Sequence, residues 1–402
     1  MRKRLAIVAC CVSALLAACS EGSEPAPTVT VPTQTVAPDP QASVDENAVD
    51  EAARVSRENA TIIANSTERG NGNFVFSPAS VSYQLAVAST GPFCISPAVT
   101  ETLDGGEDIA ATHLELASHL PLEGEGYSTN LNGLLIHNAD RTAVMLSESE
   151  EIVADFSIPV ISVAGDDMNE IGNQWMVDVT KGRNSMLPET LNTATDLALL
   201  THLEYSSTWS SASGVATMTF TFEEGRSEPV PALEIAGAKA SEANRGTVIE
   251  LPTTSPDPTR IFLPDDPSQP VTSDDWETIG LPRDAVVTVP TFSTTTAFDM
   301  GGTYDGKGMQ GDACEMGDGV GLNTELVNPV ASYELSSSGI SIPPGEELEL
   351  TDTTNPSEVP SLYDDEEVQH VQIDRPFIIT TTDADTGWTL LYGSITDPTH
   401  RL

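Results

Sequence analysis

The sequence predicts an α+β fold around a large mixed β-sheet, and three observations carry that prediction. Helical periodicity falls mainly in the first half, strand-like runs dominate the second, and the chain closes on a β-hairpin. In the hairpin, apolar and β-branched runs at 377–380 and 388–395 flank Asp383-Ala384-Asp385-Thr386-Gly387, where Gly387 supplies the positive φ of a tight turn. Upstream, Ser77-Pro78 opens a helix, because serine caps an N-terminus well and proline is pre-organised for the first helical position. Val81, Leu85 and Ala88 keep one apolar face and Gly91-Pro92 stops the helix, while Ala79, Ser80, Ser82 and Ala86 let it pack closely beneath something flat. Residues 128–136 read as a strand. Residues 171–182 read as an amphipathic helix, with Ile171, Trp175 and Val179 on one face and Gly182 as C-cap. Further strands follow at 195–203, 248–252, 261–265 and 287–292. Residues 330–335 alternate, putting Ala331, Tyr333 and Leu335 on one face. From Ser341 to about residue 369 the chain is polar, acidic and proline-rich, the composition of a long loop.

The chain carries 61 acidic and 17 basic side chains, a formal net charge of -44. That field repels a polyanion and excludes non-specific nucleic-acid binding. It suits either a solvated acidic coat for high salt or repulsion that restricts which partners approach. Met1-Arg2-Lys3-Arg4 precedes an apolar stretch over 5–18, the pattern of a secretory signal and too short for a stable membrane span. Leu16-Ala17-Ala18-Cys19 resembles a bacterial lipobox, whose cysteine takes a diacylglyceryl group; the alternative is an ordinary signal peptide that contains a cysteine. Acyl chains contribute about 0.8 kcal/mol per buried methylene, so a multiply acylated Cys19 would hold the protein at the outer face of the cytoplasmic membrane or the cell envelope. Residues 1–18 are read as a lipoprotein signal peptide, 19–46 as the lipidated cysteine and a disordered Pro/Thr/acidic tether, and 47–402 as one domain. Of five cysteines, Cys10 and Cys11 leave with the signal and Cys19 is lipidated on this reading. Cys94 and Cys314 remain: an exported pair can oxidise to a disulfide, and the sequence leaves open whether they meet.

The sequence contains no Gly-x-Ser-x-Gly, no His-Glu-x-x-His, no Cys-x-x-Cys and no glycine-rich phosphate loop. The six histidines are scattered. Asp383-x-Asp385-x-Gly387 looks like the start of a calcium loop, but the downstream acidic ligand is missing and a hairpin turn explains the same residues. No catalytic residue, cofactor or metal is therefore expected.

Asp374-x-Pro376-Phe377 before the first hairpin strand and Leu391-x-Gly393-x-Ile395-x-x-Pro398 in the second resemble the C-terminus of the serpins, the serine protease inhibitor family. Other segments resemble the family in the same order. Phe74-Val75-Phe76-Ser77-Pro78 looks like the segment entering its buried helix. Asn173, Trp175, Thr180 and Gly182 have the spacing of the helix across the front of its main sheet. Residues 195–203 and Trp209 resemble the strand whose following tryptophan packs where the bait loop inserts, although Thr201 and Glu204 stand where the family usually has Asn and an aromatic residue. The strands at 248–252 and 261–265 resemble a serpin pair, and Val287-x-x-Pro290-x-Phe292 looks like another serpin strand, running on to Phe298-Asp299-Met300. The match spans about residues 50 to 400. It implies a serpin-like fold, with a large mixed main sheet, two smaller sheets, a set of helices and an exposed reactive-centre loop. It also implies a monomer whose partner is a serine-type protease. In the family, the protease cuts this loop through an acyl-enzyme, and the loop then enters the main sheet as a new strand.

By the same resemblance, Glu334 and Gly339 fit the strand and glycine at the base of that loop, which makes Glu334, Gly339, Ile340, Ser341, Ile342, Pro343 and Pro344 the hinge. The hinge departs from the family pattern. Threonine and small residues are usual after the glycine, and Ser337 and Ser338 replace acidic residues before it. Proline donates no N–H to a central strand, and each carbonyl left unpaired costs about 1–3 kcal/mol, so insertion past Ile342 is expected to be impaired. Family spacing from Gly339 puts the scissile bond at Thr353-Thr354, with Leu348, Leu350 and Leu362-Tyr363 as alternatives. The prolines also support a second reading, a non-inhibitory serpin-fold protein that binds a ligand or partner.

Overall fold

The computed structural model describes residues 31–32, 44–66, 72–90, 93, 95, 99, 101–103, 108–120, 122–141, 146–182, 184–298, 314–316, 320–327, 329–342 and 368–399. The chain divides into two compact units, Met1–Thr30 and Val31–Leu402, and every described residue belongs to the second. The signal segment 1–18, Cys19, Cys94, Pro343, Pro344, Thr353 and Thr354 lie outside the described residues. Within the stretch expected to be a tether, Val31 is buried in a core cluster.

Helix α1 (Glu46–Ser66) is followed by β1 (Phe74–Phe76), α2 (Pro78–Thr90), α3 (Ile109–Ser118), β2 (Leu122–Gly124), β3 (Tyr127–Asn138), α4 (Leu146–Val153), β4 (Val160–Val163) and α5 (Met168–Val179). The rest is mostly strand: β5 (Leu197–Ser207), β6 (Ser213–Thr221), β7 (Ser227–Ala243), β8 (Gly246–Leu251), β9 (Thr259–Pro264), β10 (Thr278–Pro290), β11 (Phe292–Ala297), β12 (Cys314–Met316), β13 (Val320–Leu322), β14 (Thr324–Leu326), β15 (Val330–Ser336), β16 (Gly339–Ile342), β17 (Gln369–Gln372), β18 (Phe377–Thr382) and β19 (Thr389–Ile395). One eight-stranded sheet runs β11-β15-β16-β5-β3-β2, with β4 beside β3 and β14 beside β5. A nine-stranded sheet runs β1-β19-β18-β9-β8-β7-β10-β17, with β6 beside β7, and among the described residues β12 and β13 form a separate pair. The α+β class with a mixed main sheet is therefore as expected. The two smaller sheets, in contrast, are continuous. At 17 and 13 residues, β7 and β10 are long enough to ladder both halves, and the register shifts at Ile279/Arg283 and Ala285/Val287 take up the added twist.

Helix α2 touches β5 of the eight-stranded sheet and β19 of the nine-stranded one. Its N-cap is the expected one: the Ser80 N–H donates to Ser77 Oγ at 3.1 Å. Its burial differs from the single apolar face expected, since every residue from Pro78 to Ala88 is buried. The small side chains admit neighbours on all sides, so no face is left for solvent. Helix α5 begins a turn earlier than its periodicity suggests, because Met168 also enters the core. It closes at Thr180 rather than at Gly182, with Lys181 and Gly182 following at φ 53° and 84°.

Phe292 joins the two sheets. Its ring stacks on Tyr333 of β15 at 5.5 Å and meets Phe377 of β18 edge-on at 6.0 Å. Pro290 ends β10 in one sheet and Phe292 opens β11 in the other, so the strand expected from 287 onward is the crossing between layers. Pro376 precedes β18, where the C-terminal hairpin forms with β19. Gly393 is fixed by close approach: a Cβ there would come within 3.0 Å of Val75 Cγ1 and 3.2 Å of Ile379 Cγ2. The turn uses Asp383 to bind its own backbone, Oδ1 accepting from the Thr386 N–H at 2.8 Å and the Thr386 hydroxyl at 2.6 Å.

Asp257, fully buried between β8 and β9, accepts from the Thr129 hydroxyl at 3.1 Å and the Ala384 N–H at 3.2 Å. Burial, and then the nearby Asp383 carboxylate, push it up to about 6. The folded chain thus holds this proton more tightly than the unfolded chain does. The resulting stabilisation is complete below the unfolded carboxyl value and is lost as pH rises through about 6. Asp257→Asn is expected to gain roughly 1 kcal/mol more over wild type at pH 7.5 than at pH 5, read from denaturant midpoints. An equal difference at both pH values would show that Asp257 does not titrate in this way.

Candidate functional site

The site is a slot in the eight-stranded sheet, where β5 changes partner along one edge. In the lower half β14 lies parallel to β5, with Thr324 opposite Leu197 and Leu326 opposite Leu199. Just above, the Val327 N–H donates to Leu199 O at 3.1 Å. From behind, the Gln84 side-chain amide of α2 donates to Leu199 O at 2.7 Å and to Val327 O at 3.0 Å, spanning the seam with one group. Ser80 Oγ donates to Thr201 Oγ1 at 3.0 Å, so the threonine that replaces the family's usual Asn still binds the buried helix. His202 Nδ1 lies 3.1 Å from Val330 O. Burial pushes this imidazole down to about 4, so it is neutral at physiological pH and Nδ1–H is the donor. Its Nε2 has no hydrogen-bond partner among the described residues.

In the upper half the seam is open and β16 fills it. Ser341 lies opposite Glu334 of β15 and Ser206 of β5, and Ile342 lies opposite Tyr205. Ser341 and Ile342, expected to open the loop, are strand instead: Gly339, Ile340, Ser341 and Ile342 run antiparallel to both neighbours, because the two flanking edges supply the backbone partners a loop would lack. Gly339 permits this entry. Its φ is +133°, and a Cβ would fall 2.1 Å from Ser207 O and 2.7 Å from Thr208 Cα. Trp209 sits at the mouth, its Nε1–H donating to Ser336 O at 3.0 Å.

Helix α5 covers the front of the sheet. Trp175 is fully buried there in the cluster that also contains Leu200, Val327 and Val330. Asn173 Oδ1 accepts from the Leu187 N–H at 2.7 Å, and the Thr180 hydroxyl donates to Met176 O at 2.6 Å while accepting from the Asn184 N–H at 3.0 Å. These residues fix the path of the chain around the slot. Sequence reasoning missed Gln84 and His202. The signal for Gln84 was available, since Ser77, Ser80 and Gln84 recur at i, i+3 and i+7 as a polar stripe on an otherwise small-residue helix. What the arrangement offers chemically is backbone recognition of an extended strand. Gly339→Ala is expected to cost about 1–3 kcal/mol locally through strain and contact, expelling β16. Amide exchange at Ile340 and Ser207 would rise while the β18–β19 hairpin stays protected, and unchanged exchange would contradict the close approach.

A family model described as Serpin (serine protease inhibitor) matches residues 60–398. No curated protein matches the chain. Among solved structures, Serpin48 of the insect Tenebrio molitor is 16% identical with a TM-score of 0.67, over 89% of this chain and 100% of that one. Human thyroxine-binding globulin is 16% identical with a TM-score of 0.68, over 88% and 100%. The thermophilic serpin tengpin in its native state is 15% identical with a TM-score of 0.68, over 92% and 100%. At these identities the structural likeness speaks for the fold, and the family match covers the same span of sequence that builds both sheets. The chain belongs to the serpin family.

Proposed function

We propose that this protein is an exported, lipid-anchored serpin that inhibits serine-type endopeptidases through the loop between β16 and β17. The changing partners of β5 support the reading: among the described residues β16 separates β5 from β15 above and β14 pairs with β5 below, so the same edge could accept more strand. A protease serine would attack a carbonyl in the loop, with Thr353-Thr354 the expected bond, releasing the new amine and leaving an acyl-enzyme. Further insertion of the loop would then carry the bound protease along the sheet. A Cys19 anchor would keep this monomeric trap at the membrane, on the exported side. The second reading is favoured by Pro343-Pro344, which directly follow β16 and bring no N–H to the next two rungs. In that case the protein is a non-inhibitory binder; a similar solved structure is thyroxine-binding globulin complexed with thyroxine.

Incubation with a panel of serine proteases separates the two readings. Inhibition predicts a denaturant-stable covalent complex together with a rise in heat stability once the loop is cut. Simple cleavage with no such rise favours the binder. Replacing both prolines by alanine is expected to increase the stability gained on cleavage, since about 1–3 kcal/mol is recovered for each carbonyl that finds a partner. No difference between the variant and wild type in thermal midpoint after cleavage would mean that the prolines do not limit insertion.

A further inference from the structure

Strand β6 forms an outer edge of the nine-stranded sheet, and its hydrogen bonds show which backbone groups face outward. The Phe222 N–H donates to Arg226 O across the hairpin at 2.8 Å, and Ala212 O accepts from the Ala236 N–H at 3.1 Å. Even-numbered residues therefore turn their backbone groups toward β7, and odd-numbered ones turn away. Thr221 already uses the outward direction, its N–H donating to Asp374 O at 2.7 Å. Pro231 and Pro229 of β7 lie opposite Thr217 and Thr219, where a proline costs the ladder no bond. The outward row is Ser213, Val215, Thr217 and Thr219, and among the described residues no strand pairs with it. These four side chains are exposed, while Met218 and Phe220 on the opposite face are buried.

Elsewhere the sheet guards its edges against strand addition. The strands that end its path, β1 and β17, are only three and four residues long. The outer end of β10 contains Gly280 at φ 86°, Pro282, Arg283 and a register shift. Strand β6 has none of these devices. Its nine residues include no proline and pair with β7 without a shift, and the chain from Tyr205 to Phe222 contains no Asp, Glu, Lys or Arg. The same strand of a second copy fits this edge. About a two-fold axis at Thr217, that residue meets its own mate and Val215 meets Thr219, so the outward N–H and C=O groups of all three find partners. Thr–Thr and Val–Thr pairs then align on the exposed face, both favourable across strands. Glu223 and Glu224 of the acidic turn fall beside Ser211 and Ser210 of the second copy, so like charges are not opposed along the edge. A net charge of -44 still repels the two copies at long range. Salt removes that repulsion, because the screening length falls from about 10 Å at about 0.1 M to about 3 Å at about 1 M.

We propose that the chain pairs with a second copy of itself through the outer edge of β6, and that salt gates this association. At low ionic strength repulsion keeps the monomer, and at high ionic strength the two β6 edges join into one continuous sheet. The dimer stands whether or not a protease is trapped. Sedimentation equilibrium of the full chain is expected to show an association constant at least about tenfold larger at about 1 M KCl than at about 0.1 M. Thr217→Lys and Thr217→Glu each set like charges face to face at the axis, and each alone is expected to weaken association about tenfold at the higher salt. An equimolar mixture of the two variants is expected to recover it, because opposite charges then meet at position 217. Amide exchange in the β18–β19 hairpin, unchanged in both variants, checks that the fold is intact. A chain that is monomeric at both salt concentrations overturns the dimer. So does a Lys variant that associates like wild type, or a mixture that associates no better than either variant alone. If β6 accepts only an extended strand of some other protein, the chain stays monomeric at high salt and the proposal falls.

Discussion

The sheet arrangement depends on a competition for one strand edge. The β5 edge offers a single row of backbone donors and acceptors, and two different strands claim it: β14 in parallel at 197–199 and β16 antiparallel at 205–207. Among the described residues, neither strand pairs with the stretch between them, 200–204. Its backbone neighbourhood is held by side chains, with His202 reaching Val330 O and Glu204 reaching Lys181. The apolar run of β5 turns polar at Thr201, His202 and Glu204 in that stretch, while its other edge stays paired with β3 throughout. That correspondence ties sequence to sheet geometry more closely than any single contact does.

Two layers keep the competition undecided. Behind the sheet, α2 is buried along nearly its whole length and can spare its polar groups for the seam, which is why Gln84 can bind a carbonyl on each side. A buried amide of this kind is costly to leave without partners, so parting β5 from β14 carries a penalty on α2 as well as on the strands. In front, α5 and its following loop press on the same seam through the Trp175 cluster and the Thr180–Asn184 turn. Separating the strands therefore means moving groups on three elements together, and a barrier built that way is cooperative.

Much of this was legible in the sequence because local chemistry decided it. The hairpin followed from its Asp/Gly turn, α2 from Ser77-Pro78, and α5 from the spacing of Ile171, Trp175 and Val179. The family resemblance then ordered the segments. Helix α1 went unread although Arg54 pairs with both Glu51 and Glu58 at helical spacing, a signal that periodicity of apolar residues does not weigh. The continuity of the nine-stranded sheet was hidden because it depends on β7 meeting β10 at long range, with Pro229, Pro231 and Gly237 breaking the local pattern of β7. Ser341 and Ile342 read as loop by composition because the partners that make them a strand, on β5 and β15, are remote in sequence. The Asp257 network escaped for the same reason: its members come from a strand, a loop and the hairpin turn.

On the inhibitory reading, the cost of deeper insertion would fall on side-chain contacts that bridge β5 and β15. A strand that continued the β16 register would meet the Lys181–Glu204 and Asn184–Ser332 contacts at position 343 and the His202–Val330 contact two rungs on. Residues 343 and 344 are prolines, so at those rungs the incoming strand offers carbonyls but no donors in exchange. Antiparallel pairing on both sides becomes fully rewarding only from Gly345 onward, after the His202 contact has been broken. On the inhibitory reading the losses would come first and the gains later, which describes a kinetic barrier rather than a steric stop.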